Sequence, residues 1–405
     1  MTPPAPVVGI PFFEPSAHPD AVLAAGAEPA PLRLAMARPS GGVALAREWV
    51  ADAAEVSCAE AGLDALLLAS ESPEELFGML LAATRLDFPT VCAPPPGTPL
   101  SATLAALGLA PISGDAAGVT RELASNGGPR VGELLDNFSL ANALRAGVAA
   151  GGGPELLVHL SARAREASVV GFSQMIRVLA PETPASDPSW TQENGAPALL
   201  TSLGEGLHDV PTVAGRLREG LPSVSGAPGE HLRLIFARAR ASGAEVVCRV
   251  PVGARDVAGE CRVFGSEQEA VQAVRAGEAL DGTVLVVNGC GPRGGGLLRL
   301  GALGTALREA GLQTPVVTDG LPPADATGTW ACLFAPEAAM GGVIGRLRDG
   351  DALRLDLEGG LVRAGIQAGE LEAREPFGVA ERSGSRYAAR YARSALPALE
   401  GAGFG

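Results

Sequence analysis

Residues 284–351 constrain this chain more than any other stretch. A β-branched run, Val284 to Val287, enters a loop with glycine at 289, 291, 294, 295 and 296. Helical periodicity follows from Leu297 to Glu309, and a second β run, Val316-Val317, ends at Thr318-Asp319-Gly320. Strand, glycine loop, helix and strand together read as a crossover unit. Backbone amides of such a loop suit an anionic ligand group, although glycines of this kind also serve as plain turn residues.

A second unit of the same type lies nearer the N-terminus. Val7 to Ile10 is a short β run, Ala44 to Glu60 has helical spacing, and Asp64 to Ala69 reads as a buried strand. Ser72-Pro73-Glu74-Glu75 opens a helix to about Leu86, with a cap, an early proline and first-turn acids. The strand Pro89 to Ala93 follows, and two such units favour a parallel sheet. Residues 94–128, rich in Pro, Gly and Ala, read as a connection with one helix-like patch at Ala102–Leu107. Asn142 to Glu166 reads as helical, 181–230 as proline-rich with a short helix near Val213–Leu221, and 386–400 as a closing helix. The last third has β character, and Arg346 to Ile366 alternates around turns like a hairpin. A domain boundary is expected near 228, giving units 1–228 and 229–405.

Composition removes whole classes of function. All 31 basic residues are arginine, so no lysine Schiff base, P-loop lysine or carbamylated lysine can form. A net charge of −14 argues against binding a nucleic-acid backbone. No apolar run is long enough for a membrane span, and the first residues show no secretory pattern. A cytoplasmic protein is expected. The six cysteines have no metal-ligand spacing and read as scattered thiols.

The wording of several segments goes beyond pattern. GPRGG (291–295), TDG (318–320), PEAAMGG (336–342) and RDGD (348–351) resemble, in order and spacing, the dihydroxy-acid dehydratase / 6-phosphogluconate dehydratase family. ALAREWVADAAE (44–55), LLLASESPEELFGMLLAATRLDFPTV (66–91) and AAGGGPELLVHL (149–160) extend the resemblance over most of the chain. It implies an α/β N-terminal domain with a parallel sheet, a β-barrel-like C-terminal domain, and a homodimer. It also implies where this chain departs. Two of the family's three cluster-binding cysteines fall on Ser16 and Ser72, and the segment with the third is missing between about Gly118 and Asn142. Serine is a poor substitute for a thiolate on iron. The family's magnesium ligands fall on Pro73, Glu74, Leu300 and near Ala37-Arg38, and its alkoxide serine falls on Pro323.

The resemblance is retained at Arg47, Glu48, His159, Arg293, Asp319 and Glu337. Two main readings stay open, both without cluster, metal or other cofactor. The first is an acid–base enzyme on a small carbonyl- or carboxylate-bearing compound, performing elimination, isomerisation or cyclisation in specialised biosynthesis. Its catalytic candidates are Glu74, His159, Glu48 and Asp319. Arg293, Gly294, Gly295, Ser72, Ser16 and Cys290 are its substrate-binding candidates. The second is a non-catalytic protein that binds a ligand or partners an active homologue. A third reading keeps a metal on redrawn carboxylates at Glu48, Glu74 and Glu337. Each candidate has a plainer role as well: Glu74 is a first-turn acid, His159 suits an apolar core, and Cys290 suits a buried thiol.

Overall fold

Leu66, Leu67 and Leu68 are all buried, which is the signature of a strand covered on both faces. They belong to a four-stranded sheet in the structure, a computed structural model that describes residues 4–14, 16–34, 41–224, 226, 228–239, 242–278, 282–376 and 385–405. Its strands are β1 (Val7–Phe12), β2 (Glu28–Arg33), β3 (Ala65–Leu68) and β4 (Thr90–Cys92), in the order β2-β1-β3-β4. Every pairing is parallel, as the repeated β-α-β pattern requires.

Helices α1 (Val43–Ala59) and α2 (Pro73–Leu86) cross over these strands and pack on each other. The contact is close because α2 carries Gly78: a β-carbon there would stand 2.7 Å from the Arg47 carbonyl oxygen. Ser72 caps α2 through its hydroxyl, which accepts from the Glu75 amide, as the sequence predicts. Further helices, α3 (Asn137–Ala149) and α4 (Pro154–Glu166), complete the helical layers.

The C-terminal part closes into a barrel. Its strands are β5 (Leu232–Ala239), β6 (Glu245–Pro251), β7 (Val257–Phe264), β8 (Thr283–Val287), β9 (Val316–Thr318), β10 (Trp330–Ala335), β11 (Ala352–Asp356) and β12 (Leu361–Ala364). The order around the barrel is β8-β9-β10-β6-β5-β12-β11-β7. β8 pairs in parallel with β9, as the crossover demands, and β11 and β12 form the expected hairpin. The fold is thus an α/β domain with a parallel sheet joined to a closed eight-stranded β-barrel.

Several local expectations change. Residues 94–128 hold two helices, Pro99–Ala106 and Ala116–Asn126, the first closed by a Thr98–Ser101 capping box. The helical stretch from 142 to 166 is broken at Gly151, whose φ of 90° ends α3. The helix after the glycine loop is Gly301–Glu309 and does not begin at Leu297. Leu297 has a φ of 69°, and Leu298 instead donates its amide to the Cys290 carbonyl at 2.7 Å. In the proline-rich stretch Pro188–Leu203 is helical on either side of a break at Gly195, whose φ is 81°, while 211–216 makes a two-residue ladder. The closing helix is Arg386–Ser394, ending before Pro397. Ala37-Arg38 lie outside the described residues.

The glycine loop turns out to join the two parts. Gly42, Val43 and Ala44, at the start of α1, donate their amides to the carbonyls of Gly295, Leu297 and Gly296 at 2.8–3.0 Å. A helix N-terminus has unpaired amides to satisfy, and the loop's carbonyls satisfy them. Any β-carbon on Gly42 would sit 2.3 Å from Gly296 and Leu297 backbone atoms, so only glycine fits.

Candidate functional site

The glycine loop's own amides are also occupied. Glu337 accepts from the Arg293 amide at 2.9 Å and the Gly294 amide at 3.2 Å, and Gly295 donates to the Gly291 carbonyl. Asp319 accepts from the amides of Gly289, Cys290 and Ala338 at 3.2, 2.8 and 3.0 Å. The anions gathered at this loop are therefore the protein's own carboxylates. Burial pushes both up: Glu337 to about 7, and Asp319 above its ordinary range, against the backbone donors that favour the charged form. The Arg293 guanidinium donates to the Ala395 carbonyl at 3.0 Å. Cys290 is fully buried, as are the other five cysteines, and none is in a disulfide. Glu48 is buried on α1 and accepts from Arg47 at 2.8 Å, while Arg47 also holds the Gly401 carbonyl. Glu48, Asp319, Arg293, Gly294, Gly295 and Cys290 thus sit in the junction and its surroundings.

Glu74, Ser72 and His159 meet elsewhere, in a cleft of about 540 Å³ between the helical layer and one end of the barrel. It is lined by Glu71, Ser72, Glu74 and Phe77 from the start of α2, Gly151–Leu156 and His159 around α4, and Arg249, Arg299 and Pro323 from the C-terminal part. Pro323, where the resemblance puts a serine, lines this cavity. A second cavity of about 640 Å³ adjoins it and shares Glu71, Ser72 and Pro95. This second lobe holds Ser16 and His18, whose hydroxyl and Nδ1 are 3.0 Å apart.

The chemistry of the first lobe centres on Glu155 and His159, one turn apart on α4. Arg299 reaches across the cleft and donates from Nε to Glu155 Oε2 at 2.8 Å and from Nη2 to Oε1 at 2.7 Å. A β-bridge between Arg299 and Leu321 fixes the backbone that carries it. His159 Nε2 lies 3.4 Å from Glu155 Oε1, and its ring stacks on Phe77 with centroids 4.8 Å apart and planes within 2°. Burial alone would raise Glu155, but hydrogen bonds from His159 and Arg299 outweigh it and hold the carboxyl at about 2. Burial lowers His159, reinforced by Arg47 and only partly offset by Glu155 and Glu74. A neutral imidazole facing a carboxylate donates from Nε2, which leaves a lone pair on Nδ1. Nδ1 is buried and has no hydrogen-bond partner, and neither has Glu74 Oε2, which sits 3.6 Å from Arg299 Nη2.

Of the residues lining this cleft, sequence reasoning names Ser72, Glu74 and His159 as candidates but not Glu155, Arg299 or Arg249. Glu155 carries a signal, since it stands four residues before His159 on one helix face. The two arginines carry none, because they arrive from distant segments.

The residues present do not fit the inorganic groups the resemblance implies. Ser72 spends its hydroxyl on the helix cap, and Ser16 offers an oxygen where a thiolate is needed. No cysteine is among the residues lining either lobe, and burial raises the thiols of Cys58 to about 11 and of Cys92, Cys248 and Cys261 to about 12. Among the described residues, no group of three or more His, Cys, Asp or Glu is placed to hold a metal ion. Nor is any described helix long and apolar enough to cross a membrane.

Fold and cleft together define an α/β-plus-barrel protein with a charged, small-molecule-sized site between its two parts. Residues 239–402 match the family model described as dihydroxy-acid/6-phosphogluconate dehydratase C-terminal. Relatives include the dihydroxy-acid dehydratase of Methanoregula boonei, 31% identical over 56% of this chain and 46% of that one. That of Pelobacter propionicus is 29% identical over 70% and 58%, and dihydroxy-acid dehydratase 2 of Bordetella bronchiseptica is 30% identical over 63% and 50%. The chain spans about half the length of the curated relatives it matches. Residues 239–402 are thus the C-terminal part of a dihydroxy-acid/6-phosphogluconate dehydratase fold, and similarity to dihydroxy-acid dehydratases extends over 56–70% of the chain.

Proposed function

We propose that the protein is an acid–base enzyme of this family that works without cluster or metal, eliminating water from a small β-hydroxy carbonyl compound. One observation carries the reading: the cleft side chains His159 and Glu74 each keep a buried polar atom without a hydrogen-bond partner, Nδ1 and Oε2. Unpaired buried polar atoms are costly, and they concentrate where a ligand completes them.

In this mechanism His159 Nδ1 takes the proton from the carbon next to the carbonyl, and the electron pair of that C–H bond becomes the new C=C bond. The C–O bond to the β-hydroxyl breaks, and the imidazolium returns its proton to the departing oxygen, which leaves as water. Glu74 accepts a hydrogen bond from that hydroxyl and orients it. Glu155, kept ionised by Arg299, fixes the histidine tautomer and stabilises the imidazolium while it exists. Stopping after proton transfer and reprotonating elsewhere would give isomerisation with the same groups.

The test is exchange in heavy water. Chelator-treated protein is incubated in D₂O with a panel of β-hydroxy ketones and 4-hydroxy-2-oxo acids, and loss of the α-proton signal is followed by NMR. Exchange or elimination that disappears in Glu155→Gln and His159→Asn supports the reading. No exchange with any compound, by protein that still binds panel members, would favour the non-catalytic ligand-binding alternative.

A further inference from the structure

Arg249, on β6, lines the same cleft and is 8% exposed. Among the described residues its one side-chain hydrogen bond runs from Nη1 to the Ala326 carbonyl at 2.7 Å. The other cleft arginine, Arg299, is neutralised by Glu155 and Glu74. Among the described residues, no carboxylate stands within ion-pair distance of Arg249. Asp325, the acid whose field it feels, is held by Arg308 at 2.6 Å. A buried guanidinium without a counter-ion is unfavourable unless something anionic arrives. Arginine's fork suits a carboxylate, which it can bind through two parallel hydrogen bonds.

The second lobe bears on the size of that anion's remainder. It adjoins the first, with Glu71, Ser72 and Pro95 lining both, and its wall on one side is Ile10, Pro11, Phe12 and Phe13 at the carboxyl end of β1. Ligands of open parallel sheets gather at this end of the strands. Each lobe alone lies within the roughly 300–1,000 Å³ that a small-molecule site occupies. The two in series accommodate a chain much longer than a short acid.

We propose that Arg249 is the anchor for a substrate carboxylate and that the cleft takes an extended monocarboxylate, its chain running into the lobe beside Phe12 and Phe13. This rests on the acid–base reading only for what happens to the ligand, not for its binding.

Isothermal titration with sodium octanoate, sodium butanoate and octanamide tests it without turnover. Octanoate is expected to bind at least about ten-fold more tightly than octanamide, as a charge-assisted hydrogen bond would give, and more tightly than butanoate. Arg249→Gln should remove the acid-over-amide preference, and Arg249→Lys should keep part of it. Ala93→Trp, which narrows the second lobe, should abolish the octanoate-over-butanoate preference alone. Equal binding of octanoate and octanamide to the unmodified protein, or an Arg249→Gln protein that still discriminates, overturns the anchor. Indifference to chain length overturns the extended substrate. If Arg249→Gln does not fold, the acid–amide comparison on the unmodified protein decides. Octanoate binding of this kind without any deuterium exchange keeps the anchor and sinks the catalytic reading; exchange without acid preference does the reverse.

Discussion

Arg299 holds Glu155 by two parallel hydrogen bonds, 2.8 Å from Nε and 2.7 Å from Nη2, and so ties α4 to the C-terminal part across the cleft. The pair does two jobs at once. It fixes the geometry of the interdomain cleft, and it keeps a carboxylate charged beside His159. A two-point contact of this kind is more directional than a single ion pair.

Loss of that carboxylate should be felt in turnover before it is felt in folding. Glu155→Gln and His159→Asn are each expected to lower turnover by roughly a hundred- to ten-thousand-fold, the range for a lost general base. Because the two act as one unit, the double variant should be scarcely worse than either single. Steady-state kinetics with circular dichroism as the folding control checks this.

Acid should weaken the protein in a defined window. Glu155 titrates at about 2 in the fold, below its ordinary value of 4.5, so its stabilising contribution is complete above pH 4.5 and is lost as pH falls towards 2. His159 is also depressed, so its contribution falls as pH drops below its ordinary value of 6.5. Denaturant melts from pH 7 to 3 should steepen in loss of stability relative to Glu155→Gln, which lacks the first of these protons.

Glu337 predicts the opposite slope. Burial lifts it to about 7, so ionising it in the fold is harder than in the unfolded chain. Its contribution is present below pH 4.5 and is lost as pH rises through 7. Glu337→Gln should therefore flatten the fall in Tm between pH 5 and 8, measured by differential scanning calorimetry.

Strands β1, β3 and β4 of the parallel sheet are legible as apolar runs between helical periods, whereas β2, charged at both ends and holding two prolines, is not; Ser72-Pro73-Glu74 announces α2 by local chemistry alone. The barrel's crossover was legible for the same reason. What the glycine loop does was not. Val284–Gly296 reads as an anion cradle, and it does cradle anions, but the carboxylates come from Glu337 and Asp319, about 20 to 50 residues further on. Nothing local says that its carbonyls cap Val43 and Ala44. The cleft was half legible: Glu74 and His159 stand out by the family wording, whereas Arg249 and Arg299 gain meaning only when the barrel meets α4. Tertiary partners also decide chemistry invisible in a string of letters: burial pushes Glu155 and Glu337 the same way, and His159 and Arg299 alone bring Glu155 down.

The thiols offer a test of the fit to iron. All six cysteines are buried with no disulfide, and burial raises Cys58, Cys92, Cys248, Cys261 and Cys332. A thiol reagent should leave the native protein nearly unlabelled and report six groups after denaturation. Anaerobic incubation with iron and sulfide should give no cluster absorbance in the native protein. Rapid native labelling, or a stable brown product, would contradict the placement of these side chains.

Most direct of all is the protonation state of His159 itself. Nitrogen-15 NMR of imidazole-labelled protein at pH 7, with the signal assigned among the four histidines by its loss in His159→Asn, reads it without any substrate. The expected spectrum is a neutral ring with hydrogen on Nε2 and a bare Nδ1. A ring protonated on both nitrogens, or carrying its single hydrogen on Nδ1, would leave the cleft without the base on which the proposed chemistry depends.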